Sequence, residues 1–231
     1  MAGNKENKVK YNIKNVHVAK QTETAGEEGA TTYTYATPKN IPGAVSISLD
    51  AEGEISTFYA DGIAYFVTSA NNGYSGDLEM ALIPSWFRTE ILNETLDDKS
   101  VLVENANNNT NPFALLFEFD GDQRAIRRCL YNCTCTRPSI ESETTEETVE
   151  PGTETLSITN SPRSDGLVKA QTGPDTDAET YAGWYSNVYT PVTSAEETSL
   201  TADQGTSQAA GPETQNDDQS AGQEAGADGT N

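Results

Sequence analysis

Hydrophobic positions along this chain recur mostly at every second residue, in short runs broken by turn-forming residues. That period puts successive side chains on opposite faces of an extended strand. Val9, Tyr11 and Ile13 alternate with polar neighbours, and Val16 and Val18 continue on the opposite parity. One extra residue near Lys14-Asn15 therefore predicts a β-bulge. The polar, Gly-bearing stretch 23–32 reads as a hairpin loop. Val45, Ile47 and Leu49 alternate with Ser46 and Ser48, which predicts a strand with one wet face. Asn71-Asn72-Gly73 is a turn, and the strand after it puts Leu78, Met80 and Leu82 on one side and Asp77 and Glu79 on the other. Pro84 opens a short helix over 84–93, whose buried face is Ile83, Phe87 and Ile91. After an Asn-rich loop at 105–111, Phe113, Leu115, Phe117 and Phe119 form a strand with a strongly apolar face. Asp120-Gly121, or Gly121-Asp122, turns it back into a strand over 124–136. A charged, Thr-rich extended stretch at 141–155 leads into Leu156-Ser157-Ile158-Thr159, and Asp165-Gly166 precedes a further strand at Leu167-Val168-Lys169-Ala170. Tyr181, Trp184, Tyr185 and Val188 have helical spacing and predict a terminal helix capped near Asp177, in spite of Gly183.

These elements predict a mainly β fold, an antiparallel sandwich or barrel with a flanking short helix. One pair of strands stands apart. Residues 54–60 and 63–69 flank Asp61-Gly62, the preferred pair for a two-residue type I′ turn. A regular ladder from that turn puts Ala60 opposite Ile63, Phe58 opposite Tyr65 and Ser56 opposite Val67 on one face. The other face then holds Tyr59 opposite Ala64, Thr57 opposite Phe66 and Ile55 opposite Thr68. Both faces are apolar, whereas a ribbon at the rim of a monomer should have a polar one. Two readings follow: a central strand pair in the domain's own core, or a projecting arm that buries its second face against another subunit. Arms of seven residues reach about 23 Å at ~3.3 Å per residue, enough to bridge neighbouring protomers. An arm fitting a different patch on the next copy makes a head-to-tail contact, which closes into rings or grows into a tube.

Charge changes this picture in two ways. With 36 acidic and 14 basic side chains, the chain carries −22, which disfavours electrostatic attachment to nucleic acid or anionic lipid. The acidity continues past Pro191 through Glu196, Glu197, Asp203, Glu213, Asp217, Asp218, Glu224 and Asp228, with no Lys, Arg or aromatic residue. Such a stretch has nothing to offset its ordering entropy. The expected organisation is a β domain over 1–191 and a disordered acidic low-complexity tail over 192–231. Residues 1–10 lack an apolar signal segment, and no run approaches the ~20 apolar residues of a membrane helix. Folding in a reducing cytoplasm, without membrane attachment, is the expectation.

No motif points to catalysis. Cys129, Cys133 and Cys135 have C-x₃-C-x-C spacing and no nearby histidine, since His17 is the only one. They share parity with Tyr131 and read as small hydrophobes on one face of a strand, not as zinc ligands. Acid pairs such as Asp97-Asp98, Glu146-Glu147 and Asp77/Glu79 are expected by chance among so many carboxylates. Asp50, Glu52, Asp61, Asn71, Asn72, Asp120 and Asp122 fit no calcium-loop spacing and read as turn formers. His17 lies in no nucleophile-elbow motif, and Gly-rich phosphate loops are absent from the sequence. The expectation is a protein without enzymatic activity, metal or cofactor.

Several segments together resemble a known family. Residues 12–19 (NIKNVHVA), 43–82 (GAVSISLDAEGEISTFYADGIAYFVTSANNGYSGDLEMAL), 83–87 (IPSWF) and 113–121 (FALLFEFDG) are similar, in this order, to the major tail (tail-tube) proteins of siphophages infecting Gram-positive bacteria. Arg137-Pro138, Glu154-Thr155-Leu156, Asp165-Gly166 and Trp184-Tyr185 continue the resemblance, which covers roughly residues 8–191. It implies a tail-tube β-sandwich whose protomers form stacked six-fold rings in the virion tail, assembled in the host cytoplasm. The implied partners are other copies of the chain, a tape-measure protein, and tail-terminator and distal-tail proteins. DNA passes through the tube without specific binding. The resemblance carries no catalytic residues. It maps the family's contact loop onto 50–73, with Ile55, Phe58, Tyr59, Ile63, Tyr65, Phe66 and Val67 as subunit-interface residues and Asp77 and Glu79 as candidates for the lumen. The stretch after Pro191 departs from the family pattern. From another class, a monomeric carbohydrate- or surface-recognising sandwich remains the alternative. An acid-rich hydrolase and another β-tube or virion component are further rivals.

Overall fold

A computed structural model of the protein describes residues 6–26, 31–140, 142, 144 and 151–192. The chain divides into two units, 1–190 and 191–231. The expected tail lies outside the described residues from 193 onward, as do Glu146-Glu147 and most of the stretch 141–150.

The first unit is mainly β, and every strand pairing is antiparallel. In chain order the elements are β1 (Lys10–Ala25), β2 (Thr31–Tyr35), β3 (Lys39–Asn40), β4 (Ala44–Glu52), β5 (Ile55–Ala60), β6 (Ile63–Ser69), β7 (Gly73–Met80), α1 (Ser85–Glu90), β8 (Thr95–Leu96), β9 (Leu102–Val103), β10 (Phe113–Gly121), β11 (Ile126–Cys135), β12 (Glu154–Asn160), β13 (Lys169–Gln171) and α2 (Ala178–Ala182). The main sheet has the order β2-β1-β10-β11-β12-β7-β4, with β3 on β1 and β13 on β11. β5–β6 and β8–β9 form two separate ribbons.

Burial explains this order. β10 is apolar on both faces and takes an interior place in the sheet, between β1 and β11. Phe113, Leu115 and Phe117 point into one core with Leu78, Leu156 and Phe87. Ala114 and Leu116 point into a second core with Cys129, Tyr131 and Trp184. Each large apolar side chain so buried contributes about 1.5–3 kcal/mol. The helix face predicted from Ile83, Phe87 and Ile91 closes the first core. α1 is shorter than expected, with Pro84 at its N-cap.

Two single-residue bulges interrupt β1, one at Asn12 and one within Asn15–Val16. Both asparagines take positive φ, 49° and 52°, a conformation Asn tolerates better than most residues. The second bulge shifts parity, so that Ile13, Val16 and Val18 all reach the first core.

The C-terminal segment covers the second core. Asp177 caps α2 by accepting from Thr180 N at 2.9 Å. The helix ends at Ala182 rather than running on to Val188, because Gly183 takes the C-cap. Trp184 and Val188 are nevertheless buried. A stack of rings and guanidinium groups ties this segment to the sheet. Arg124 and Arg127 lie 3.5 and 3.8 Å from the Tyr181 centroid, and His17 stacks on Tyr185 at 4.4 Å. Beneath it, Glu118 accepts from Arg127 Nε at 3.0 Å, Asn15 Nδ2 at 2.6 Å and the Tyr185 hydroxyl at 3.1 Å.

Four local expectations are corrected. Residues 23–25 and 31–32 belong to β1 and β2, so the strands of this hairpin run into both ends of the predicted loop. Leu82 lies beyond the end of β7 and is exposed instead of sharing the side of Leu78 and Met80. Asp120 and Gly121 do not turn the chain. They stay in β10, opposite Tyr11 and Lys10, because pairing with β1 outcompetes the local turn tendency. The three thiols do not share one face. Tyr131 and Asn132 together oppose Ala114, a bulge that puts Cys129 with Tyr131 on one face and Cys133 and Cys135 on the other.

All three thiols are free and buried. Desolvation pushes Cys133 and Cys135 up to about 12, and Cys129 higher still. A raised folded pKa contributes stability that is complete below the unfolded value, near 8.5, and is lost as pH rises through the folded one. Urea midpoints are therefore expected to hold up to about pH 8.5 and to fall steadily from there toward about pH 12. In a Cys-to-Ala triple variant the fall should begin only near pH 10, where Tyr35, Tyr131 and Tyr185, which burial also raises, start to ionise in the unfolded chain.

Candidate functional site

Two surfaces stand out among the described residues. The first is the β5–β6 arm. It continues the β4–β7 pair through Asn72 N donating to Glu52 O at 2.8 Å and Ala70 N donating to Glu54 O at 2.9 Å. The ribbon leaves the sheet beside Gly73, whose φ is 100° and where a Cβ would overlap the carbonyl oxygen of Asn160. Only glycine lets β7 approach the end of β12 so closely. At the tip, Asp61 and Gly62 have φ of 53° and 76°, as a type I′ turn requires.

The expected ladder holds for Ala60 opposite Ile63 and Tyr59 opposite Ala64, then slips. Tyr65 is an extra residue on β6, so Phe66 faces Phe58, Val67 faces Thr57, Thr68 faces Ser56 and Ser69 faces Ile55. Phe58, Phe66 and Ile63 therefore share one face, and Tyr59, Val67 and Ile55 share the other. Ile55, Phe58, Tyr59, Ile63, Tyr65, Phe66 and Val67 are 57–74% exposed. The subunit covers neither face of the arm, so a strand pair inside its own core is not what forms. Two-stranded ribbons without a covering layer are marginal in water.

The second surface is the outer face of β4, β7 and β12. Rows across it read Ser46–Glu79–Thr155, Ser48–Asp77–Ser157 and Asp50–Ser75–Thr159. No Lys or Arg stands in this grid. Glu79 accepts from Thr153 Oγ1 at 2.7 Å and Ser46 Oγ at 2.9 Å. Asp77 accepts from Ser157 Oγ at 2.7 Å, and Ser75 donates to Glu52. The bonds from Thr153 and Ser46 hold the Glu79 carboxyl below its usual range. Hydroxyl groups thus fix the carboxylates in place without neutralising them. The inner face of the same strands carries Ile47, Leu49, Leu78, Leu156 and Ile158 into the first core.

Serine and threonine at alternate positions were the available signal for the partners of Asp77 and Glu79, but the register joining the three strands is tertiary. The β8–β9 ribbon was not anticipated. It exposes Leu96, Val101 and Val103, and Asp97 shapes its turn by accepting from Lys99 N and Val101 N. Three of the residues considered for calcium serve structural partners. Asp120 pairs with Lys14 at 2.5 Å, Asp122 accepts from Lys8 N, and Asn71 accepts from Gly73 N. Among the described residues, no group of three His, Cys, Asp or Glu side chains is placed to hold a metal ion, and no helix is long and apolar enough to cross a membrane.

No model of a known protein family matches the chain, and no curated protein matches it.

Proposed function

We propose that the protein is a non-enzymatic structural subunit that polymerises into stacked rings, forming a tube of the phage-tail type through which DNA passes. The observation that carries this reading is the arm, whose two apolar faces stand in water in the isolated subunit. Its four aromatic side chains, each of about 150–250 Å² and 60–69% exposed, present roughly 400–650 Å² of surface. The largest apolar patch of an ordinary monomer is about 300–600 Å² in all.

Burying that aromatic surface contributes roughly 10–16 kcal/mol at about 25 cal/mol per Å². Association itself costs about 4–15 kcal/mol. One arm in one socket is thus close to break-even. A closed ring or stack, in which each subunit is held at two contacts, is the stable arrangement. The resemblance to siphophage tail-tube proteins points the same way and adds the expected setting, a virion tail built in the host cytoplasm around a tape-measure protein.

The polar grid supplies the second requirement of a conduit. A lumen lined by Asp77 and Glu79 repels phosphates and offers no cation for counterion release, so DNA slides without adhering. A carbohydrate-binding monomer fits less well, because such a site needs coplanar rings, whereas the arm divides its aromatics between two faces.

Size-exclusion chromatography and negative-stain microscopy of the purified protein test the reading. Rings or tubes that leave duplex DNA unshifted on a native gel at low salt are expected. The Asp77→Lys/Glu79→Lys variant should still assemble and should retain DNA. A monomer at every concentration would overturn the proposal.

A further inference from the structure

The arm leaves one end of the β4–β7 ribbon, beyond Glu52 and Gly73. The other end of that ribbon, near Ala44 and Met80, borders an open cleft. There β1 and β4 run beside each other without a hydrogen-bonded ladder, so the curled sheet stops short of closing. Among the described residues β4 pairs only with β7, and β1 over residues 10–14 pairs only with β10, so each has an edge without a partner strand on this side.

The cleft has a volume of about 450 Å³ and is lined by Tyr11, Ile13, Val45, Ile47 and Phe119, with Lys10 at its rim. Val45 was expected to face inward with Ile47 and Leu49. It is instead an extra residue in the β4–β7 ladder, turned outward and 50% exposed. Tyr11 across the cleft is 52% exposed.

We propose that this cleft is the socket for the arm of a second copy of the chain. The inference rests on the polymer reading above and gives it a defined contact. Arm and cleft lie at opposite ends of one ribbon, so a shift along β4 and the arm, about 50 Å for the fifteen steps from Val45 to Ala60 at ~3.3 Å each, brings Ile63 of one copy to Val45 of the next. Donor and acceptor are different patches, which makes the contact head-to-tail and repeatable.

Charge agrees. Between Gly53 and Asn72 the only charged residues are Glu54 and Asp61, both acidic, with Asp61 at the tip. The cleft is lined on the β1 side by Lys10, whose ammonium lies 5.3 Å from the Phe119 ring centroid. Size agrees as well. A cleft of about 450 Å³ holds several apolar side chains, and Ile63 and Phe58 beside the turn can supply them.

Disulfide trapping tests this contact, because the native thiols are no more than 7% exposed and do not compete. A variant carrying Ile63→Cys and Val45→Cys should give a ladder of covalent oligomers under mild oxidation, on a gel without reductant. Mixing the two single variants should give heterodimers alone. The pair Ile63→Cys and Ser157→Cys should give no ladder. Circular dichroism of each variant checks that the fold is retained. Tubes that form without cross-linking at Val45 would overturn the socket and leave the polymer reading standing. A protein that forms neither tubes nor cross-links would overturn both.

Discussion

Replacing Phe58 and Phe66 together by serine is expected to abolish rings and tubes while moving the thermal midpoint of the subunit by no more than about 4 °C. The two rings sit directly opposite each other on one face of the arm, at 62% and 60% exposure. Within the subunit they have little burial to lose. In an interface, truncating an aromatic anchor costs about 2–4 kcal/mol, so the pair is worth roughly 4–8 kcal/mol per contact. That is a fall of about three to six decades in the association constant, applied at every contact of a ring. Sedimentation velocity should show a single small species at concentrations where the parent polymerises. Tyr59→Ser on the opposite face separates the possibilities further. If it has no effect, only the Phe58 face is engaged. Unfolding of the double variant would mean the arm is needed for the fold, and unaltered polymerisation would remove the arm from the interface.

The elements that could be read from residue order were those decided by local alternation. β7 with Leu78 and Met80 inward and Asp77 and Glu79 outward, the bulged start of β1, the type I′ turn at Asp61-Gly62 and the Phe87 helix face all follow from side-chain period and turn chemistry. The errors cluster where an extra residue slips a ladder. Tyr65 moves Phe66 from Thr57 to Phe58, Val45 swings outward, and the bulge at Tyr131–Asn132 divides the cysteines between two cores. A bulge is settled by the strand across from it, so the bulged strand's own residues need not announce it. Asp120-Gly121 makes the same point from the other side, because a strong turn pair remained strand once β1 supplied a partner. The polar grid was half visible. Its acids were evident on β7, whereas the hydroxyls that hold them come from β4, β12 and Thr153, distant in sequence.

Glu118→Ala is expected to be the most destabilising single change outside the apolar cores, at about 3–5 kcal/mol. The carboxylate is 6% exposed and serves three donors, Arg127 Nε, Asn15 Nδ2 and the Tyr185 hydroxyl. Its loss leaves the half-buried Arg127 guanidinium without a counter-charge and Tyr185 without an acceptor, beneath the segment that roofs the second core. At about 2–4 °C per kcal/mol for a domain of this size, the thermal midpoint should drop by roughly 6–20 °C. Glu118→Gln keeps an acceptor oxygen and should cost less. Arg127→Ala combined with Glu118→Ala should recover part of the loss, since the stranded charge goes with its partner. The arm carries none of these residues. Below its lowered midpoint, Glu118→Ala protein should therefore still polymerise, the reverse of the Phe58→Ser/Phe66→Ser result. A variant that is fully stable would show that Arg127 finds enough support from the Tyr181 carbonyl and ring alone.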